Sequence, residues 1–225
     1  MHKSIIIKKI KSINQILLKT YGRKRRIESA PTDELILTIL SQNTNDINRD
    51  RAFTELKRIF PSWHKVAAAR TSKIAEAIHA GGLATIKSKR LRTILNQIRE
   101  RAPDYSLTFL KNMTDNEVRE YLLSFTGVGP KTAACVLLFS LGRKVMPVDT
   151  HVHRVGLRLG IIPKGYNADK AHEWFRELNL QVDIQQLHLN LIAHGRTLCR
   201  PHNPKCEICP LRRYCLYFRN LRSKS

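Results

Sequence analysis

A lysine directly after Gly127-Val128-Gly129-Pro130, an aspartate 18 residues beyond it, and four cysteines crowded near the end of the chain are the side chains best placed for chemistry. Pro130 suits the first position of a helix, so Lys131 falls on that helix's first turn. There the helix dipole and the neighbouring apolar run both favour a neutral amine over an ammonium. Lys131 is therefore either a nucleophile or a simple phosphate contact, and spacing alone does not choose. Asp149 opens Asp-Thr-His-Val-His-Arg, where it is either a proton acceptor or the cap of the next helix. The glycine hairpin brings backbone N–H groups to a helix N-terminus, an arrangement that suits a phosphate. It is not a nucleotide P-loop, because Pro130 precedes Lys131 and Phe125 stands where that motif needs glycine. A helix-hairpin-helix gripping a nucleic-acid backbone fits better.

Cys199-x6-Cys206-x2-Cys209-x5-Cys215 is a metal signal in a reducing compartment, and Cys135 sits apart in an apolar run. Four thiolates suit tetrahedral zinc or an iron-sulfur cluster, and this spacing matches neither the doubled zinc knuckle nor the ferredoxin patterns. The loop also carries Arg200, Lys205, Arg212 and Arg213.

The elements that must position these groups read as helices throughout. Forty Lys and Arg against 18 Asp and Glu leave a net charge of +22, which points to a polyanion, nucleic acid ahead of an anionic membrane surface. No apolar run reaches the roughly 18 to 20 residues of a membrane span, and no signal-peptide pattern opens the chain, so a soluble intracellular protein is expected. Ile6, Ile10, Ile13 and Leu17 predict an amphipathic helix ahead of the basic run 23–26. Thr32 is expected to cap a buried helix over Leu35–Leu40, followed by the polar loop Ser41–Asp46 and a helix that stops before Pro61. Short helices are predicted at 63–69 and 73–80, with Gly81-Gly82 ending the second and leaving Leu83 beside them. Residues 87–101 predict Leu91, Ile94, Leu95 and Ile98 on one face and basic residues mostly on the other. Thr114 and Glu117 form a capping box, and the helix after Pro130 should run apolar to Gly142. Val145–Val148 reads as an extended link, and helices follow at 149–159, 168–178 and 184–194. The class is all-α.

Leu-x-x-x-Thr-Gly-Val-Gly-Pro-Lys-Thr-Ala followed by Val-Asp-Thr-His-Val-x-Arg-Val closely resembles the endonuclease III family of DNA glycosylases, over about residues 32 to 215. The resemblance implies two helical domains flanking a DNA-binding cleft: 31–145 with the helix-hairpin-helix, and 1–30 plus 146–225 with a C-terminal iron-sulfur cluster loop. It implies a bifunctional base-excision-repair enzyme, glycosylase and AP lyase, acting on damaged pyrimidines in double-stranded DNA. Lys131 would attack C1′, expel the base and form a Schiff base, with β-elimination nicking the strand. Asp149 would activate it.

The cysteine spacing resembles the family's 4Fe-4S signature at every interval, implying Cys199, Cys206, Cys209 and Cys215 as ligands. Removing a stacked base requires extruding it and filling the gap. The family's filling positions fall at Gln42-Asn43 and Leu83, with Asn43 where a glutamine is usual. Gly127, Val128, Gly129, Thr132 and His151 are the other implied DNA contacts, while His153 and His194 read as structural. Thr126 replaces a usual proline and Leu123 a frequent acidic residue, departures that bear on substrate range. A monomer without membrane attachment, cytoplasmic and nucleoid-associated, is expected. The alternatives are a uracil or thymine-mismatch glycosylase, a catalytically silent iron-sulfur DNA-binding module, and a zinc-stabilised RNA-binding protein.

Overall fold

A computed structural model describes residues 3–25 and 28–222. Its helices are α1 (Lys3–Tyr21), α2 (Pro31–Leu40), α3 (Asp46–Ile59), α4 (Trp63–Ala68), α5 (Thr71–Ala77), α6 (Ala84–Arg101), α7 (Asp115–Leu123), α8 (Pro130–Cys135), α9 (Thr150–Leu159), α10 (Ala168–Leu178), α11 (Ile184–Thr197) and α12 (Leu216–Arg222). Short 3-10 turns lie at His79–Gly81, Thr108–Asn112 and Arg212–Tyr214, and a π-helical turn at Val136–Ser140. Among the described residues there is no strand, so the all-α class stands. The chain divides into two compact units, Ile27–Arg143 and Met1–Arg26 with Lys144–Ser225.

In the 27–143 unit, α2 is buried on nearly every side: Leu35, Ile36, Ile39 and Leu40 are fully enclosed. The helix starts two residues earlier than its sequence predicts. Pro31 occupies the first position, where its fixed φ favours a helix and its missing N–H costs nothing, and Ala30 is the cap. Thr32 therefore lies inside the helix, donating to the Tyr105 carbonyl at 2.7 Å and accepting from Leu107 N–H at 3.3 Å. Leu91, Ile94, Leu95 and Ile98 of α6 are fully buried as predicted, each worth about 1.5–3 kcal/mol relative to exposure. Lys87 corrects the expected basic face, since its side chain is 1 % exposed. The Thr114–Glu117 capping box is formed on both sides. The helix after Pro130 is not uniform: at Val136 it gives way to a π turn closed by Leu141 N–H on the Val136 carbonyl.

In the other unit, α1 packs on α11 through the predicted Ile6, Ile10, Ile13 and Leu17, all buried. Of the basic run that follows, Arg26 lies outside the described residues. α9 packs on α11 and on α12, and the 142–149 link has no regular structure. α11 runs three residues past its expected end at His194.

Candidate functional site

The helix-hairpin-helix is α7, the 124–129 turn and α8, with α7 packed on α8. Gly127 holds φ +80, where a side chain is strained, and a Cβ there would lie 2.1 Å from the Arg90 Nε. Arg90 thus fills the space beneath the hairpin and anchors it to α6. Val128 turns inward at 6 % exposed, while Gly129 at φ −105 leads into Pro130 with open space about its Cα. This puts Lys131 on the first turn of α8, half-buried, as its sequence predicts. Thr132 is 3 % exposed, so its side chain faces the core and leaves only its backbone for an outside contact.

The Lys131 Nζ lies 3.5 Å from the Ser41 Oγ, at the outer limit of hydrogen bonding. Ser41 Oγ donates to the Thr38 carbonyl at 2.6 Å, so its lone pairs are left for the amine. Glu34, Thr38 and Ser41 fall at i, i+4 and i+7 and form one polar stripe on an otherwise apolar helix. Glu34 Oε1 accepts from Thr38 at 3.1 Å and Oε2 from Ser29 at 2.8 Å. Burial pushes its carboxyl above the usual range; the two hydroxyl bonds and the charges of Lys131 and Arg49 oppose that rise. Glu34 has no part in the motifs that mark the site in sequence, yet the i, i+4, i+7 polar spacing within an apolar run is a signal for it.

The base-filling candidates differ sharply. Gln42 is held: its Nε2 donates to the Gly127 carbonyl at 3.2 Å and its Oε1 accepts from Arg90. Asn43 is exposed with φ 53, and Leu83 is 49 % exposed with φ 50.

In the other unit, Asp149 is the N-cap of α9, one carboxylate oxygen accepting from Val152 N–H at 2.7 Å. It remains half-exposed. One helix turn on, Arg154 donates to the Gly195 carbonyl at 2.9 Å and lies 3.1 Å from the His151 Nδ1. His153 Nε2 is 2.8 Å from the Tyr166 carbonyl, a structural contact. His194 is buried between the Tyr21 hydroxyl, 3.0 Å from Nδ1, and the Cys209 Sγ, 3.7 Å from Nε2. Desolvation lowers its pKa to about 4, so it is neutral at physiological pH.

Cys199, Cys206, Cys209 and Cys215 line one cavity together with His194 and Arg158. Burial raises the thiol pKa of Cys209 to about 11 and those of Cys206 and Cys215 above their usual value. Burial disfavours the thiolate at these cysteines, and a bound positive centre such as a metal group would offset it. Arg158 Nη1 is 3.4 Å from the Cys199 Sγ, and its guanidinium donates to the Arg200 and Pro201 carbonyls at 2.6 and 3.0 Å. Among the described residues no group of three or more His, Cys, Asp or Glu side chains is arranged to hold a single metal ion. Arg158 was not legible beforehand, since nothing local sets it apart from the other basic residues of α9.

Residues 36–179 match the family model described as HhH-GPD superfamily base excision DNA repair protein. The chain is 36 % identical over 209 residues to an Arabidopsis thaliana protein described as a candidate DNA glycosylase, covering 88 % of this chain and 70 % of that one. It is 30 % identical over 214 residues to the endonuclease III of Thermotoga maritima, covering 93 % of each. Among solved structures, a trapped covalent endonuclease III–DNA intermediate superposes with TM-score 0.80 at 21 % identity over 99 % of both chains. A thermostable thymine-DNA glycosylase superposes with TM-score 0.78 at 23 % identity, covering 95 % of this chain and 98 % of that one. The fold and motif define a base-excision DNA repair protein of the helix-hairpin-helix type. Within that class the chain belongs to the endonuclease III family of DNA glycosylases.

Proposed function

We propose that this glycosylase is bifunctional, removing damaged pyrimidines from duplex DNA and nicking the resulting abasic strand. The observation that carries the reading is the half-buried Lys131 on the first turn of α8, directly behind the hairpin and beside Ser41. A primary amine there attacks C1′ of the damaged nucleotide; the C1′–N bond breaks and the base leaves. Opening of the C1′–O4′ bond, with O4′ leaving as the hydroxyl, turns the adduct into a Schiff base that acidifies the C2′ hydrogens, and loss of one expels the 3′ phosphate by β-elimination. By its match to the family motif, Asp149 is assigned in this reading as the base for Lys131 and as the carboxylate that stabilises positive charge on the sugar. Its capping bond to Val152 uses one carboxylate oxygen and fixes the direction of the other.

Exposed Asn43, rather than the doubly bonded Gln42, fills the gap on extrusion together with Leu83. Asparagine tolerates the left-handed conformation seen there better than most residues. The four thiols lining one cavity support a 4Fe-4S cluster held by Cys199, Cys206, Cys209 and Cys215, which would cross-link the 199–215 loop to itself. That loop then presents Arg200, Lys205, Arg212 and Arg213 to phosphates.

A panel of duplexes, each with thymine glycol, uracil, a T·G mismatch or an abasic site, tests the reading. Nicking of the thymine glycol and abasic duplexes supports it. Base release from uracil or T·G without nicking would replace it with the mismatch glycosylase, and tight binding without base release with a silent DNA-binding module.

A further inference from the structure

Among the described residues Lys87 has the largest side chain that is fully buried, and the chemistry proposed above does not use it. A buried ammonium is tolerated only where its charge is matched. Here Nζ donates to the Leu40 carbonyl at 2.7 Å and to the Gly81 carbonyl at 2.8 Å. Leu40 is the last residue of α2, where carbonyls lack helical partners and the dipole favours a cation. Gly81 ends the 3-10 turn. Leu40 lies three residues before Asn43 and Gly81 two before Leu83, the two positions read above as gap-filling. Leu83 itself holds φ 50, a strained conformation for a branched residue, and its carbonyl accepts from Lys87 N–H at 2.9 Å.

One turn further along α6, Arg90 donates to the Gln42 side chain and lies against Gly127 of the hairpin. Gln42 completes the link by donating to the Gly127 carbonyl at 3.2 Å. Two cations on one helix therefore tie together the end of α2, the turn before Leu83, and the hairpin.

We propose that Lys87 and Arg90 are positioning residues that lock the Ser41–Asn45 loop, Leu83 and the hairpin into one body, so that backbone grip and gap filling occur in concert. This rests on the reading of Asn43 and Leu83 as gap-filling residues. A purely structural lysine would affect melting but not the extrusion step. A positioning lysine changes extrusion even where the fold is intact.

The test uses a duplex with 2-aminopurine paired opposite the neighbour of a thymine glycol, whose fluorescence rises on unstacking, mixed with the full-length protein in a stopped-flow instrument. Lys131→Gln separates extrusion from chemistry. It should keep the fluorescence step and lose product. In Lys87→Met and Arg90→Gln the step should slow by about 10- to 100-fold, the size expected when a charged hydrogen bond that orients a loop is lost. Arg90→Lys should recover part of that loss. If Lys87 acts through Leu83, adding Lys87→Met to Leu83→Ala should slow the step no further than Leu83→Ala alone.

Should Lys87→Met melt below the assay temperature, half-exposed Arg90→Gln carries the test by itself. An unchanged step in a folded Lys87→Met or in Arg90→Gln overturns the proposal. A wild-type protein with neither fluorescence step nor product overturns the functional reading instead.

Discussion

Gly127→Ala and Gly129→Ala change two hairpin glycines by the same methyl group, and the structure assigns them different costs. Gly127 sits at φ +80, where an L-residue pays about 1–2 kcal/mol for the left-handed conformation. Its new Cβ would lie 2.1 Å from the Arg90 Nε and 2.3 Å from Cζ, so the guanidinium must move away and release Gln42. A hydrogen bond to a charged group is worth about 1.5–3 kcal/mol, and the half-exposed site keeps this at the low end. The sum, roughly 2–4 kcal/mol, corresponds to a melting temperature lower by about 5 to 15 °C for a chain of this length. Gly129 has φ −105 and nothing within 4 Å of a built Cβ, so its alanine should melt within about 0.5 kcal/mol of wild type. Circular-dichroism melting of the two variants beside wild type is the assay. Equal melting of both, or a larger loss at Gly129, would refute the role given to Arg90 beneath the hairpin.

Three further outcomes are expected. Asp149→Asn keeps a good N-cap, so it should melt like wild type and bind DNA while losing base release; a matching loss of stability would reduce Asp149 to a cap. Burial raises the Glu34 carboxyl, so the folded chain holds a proton that the unfolded chain releases just above the usual carboxylate range. Its stabilising contribution is present below that range and is lost as pH rises through the window. Relative to wild type, Glu34→Gln should therefore gain melting temperature as pH rises through that window, and a difference constant with pH would contradict the assignment. Wild type should be brown and contain iron and sulfide, and Cys209→Ala should yield a colourless protein with weakened DNA binding. A colourless wild type containing stoichiometric zinc would exclude the cluster.

Much of the fold was legible because its signals are local. The α1 stripe, the Thr114–Glu117 box, the Pro130 start and the Asp149 cap each depend on residues within a turn of one another, and all four stand as read. The start of α2 lies two residues before its expected place because Pro31 outweighs the capping side chain of Thr32. The π turn at Val136–Ser140 has no counterpart in an apolar run that satisfies an ordinary helix equally well.

For the candidate site, sequence gave the position of Lys131 but not what surrounds it. Glu34 and Ser41 approach it only because α2 packs on α8. Lys87 reads as one more solvated cation in a basic helix, and its burial follows from two carbonyls 47 and 6 residues away in the chain. Likewise, only tertiary structure separates Gln42, bonded to the hairpin, from exposed Asn43.

The central claim is that the Lys131 amine becomes covalently bound to the sugar. Borohydride reduction of the protein mixed with abasic-site duplex tests it directly, by denaturing electrophoresis and mass spectrometry of the digested adduct. Wild type should trap a stable complex attached at Lys131, and Lys131→Gln should trap none. A wild type that traps nothing, or an adduct undiminished in Lys131→Gln, would contradict the account.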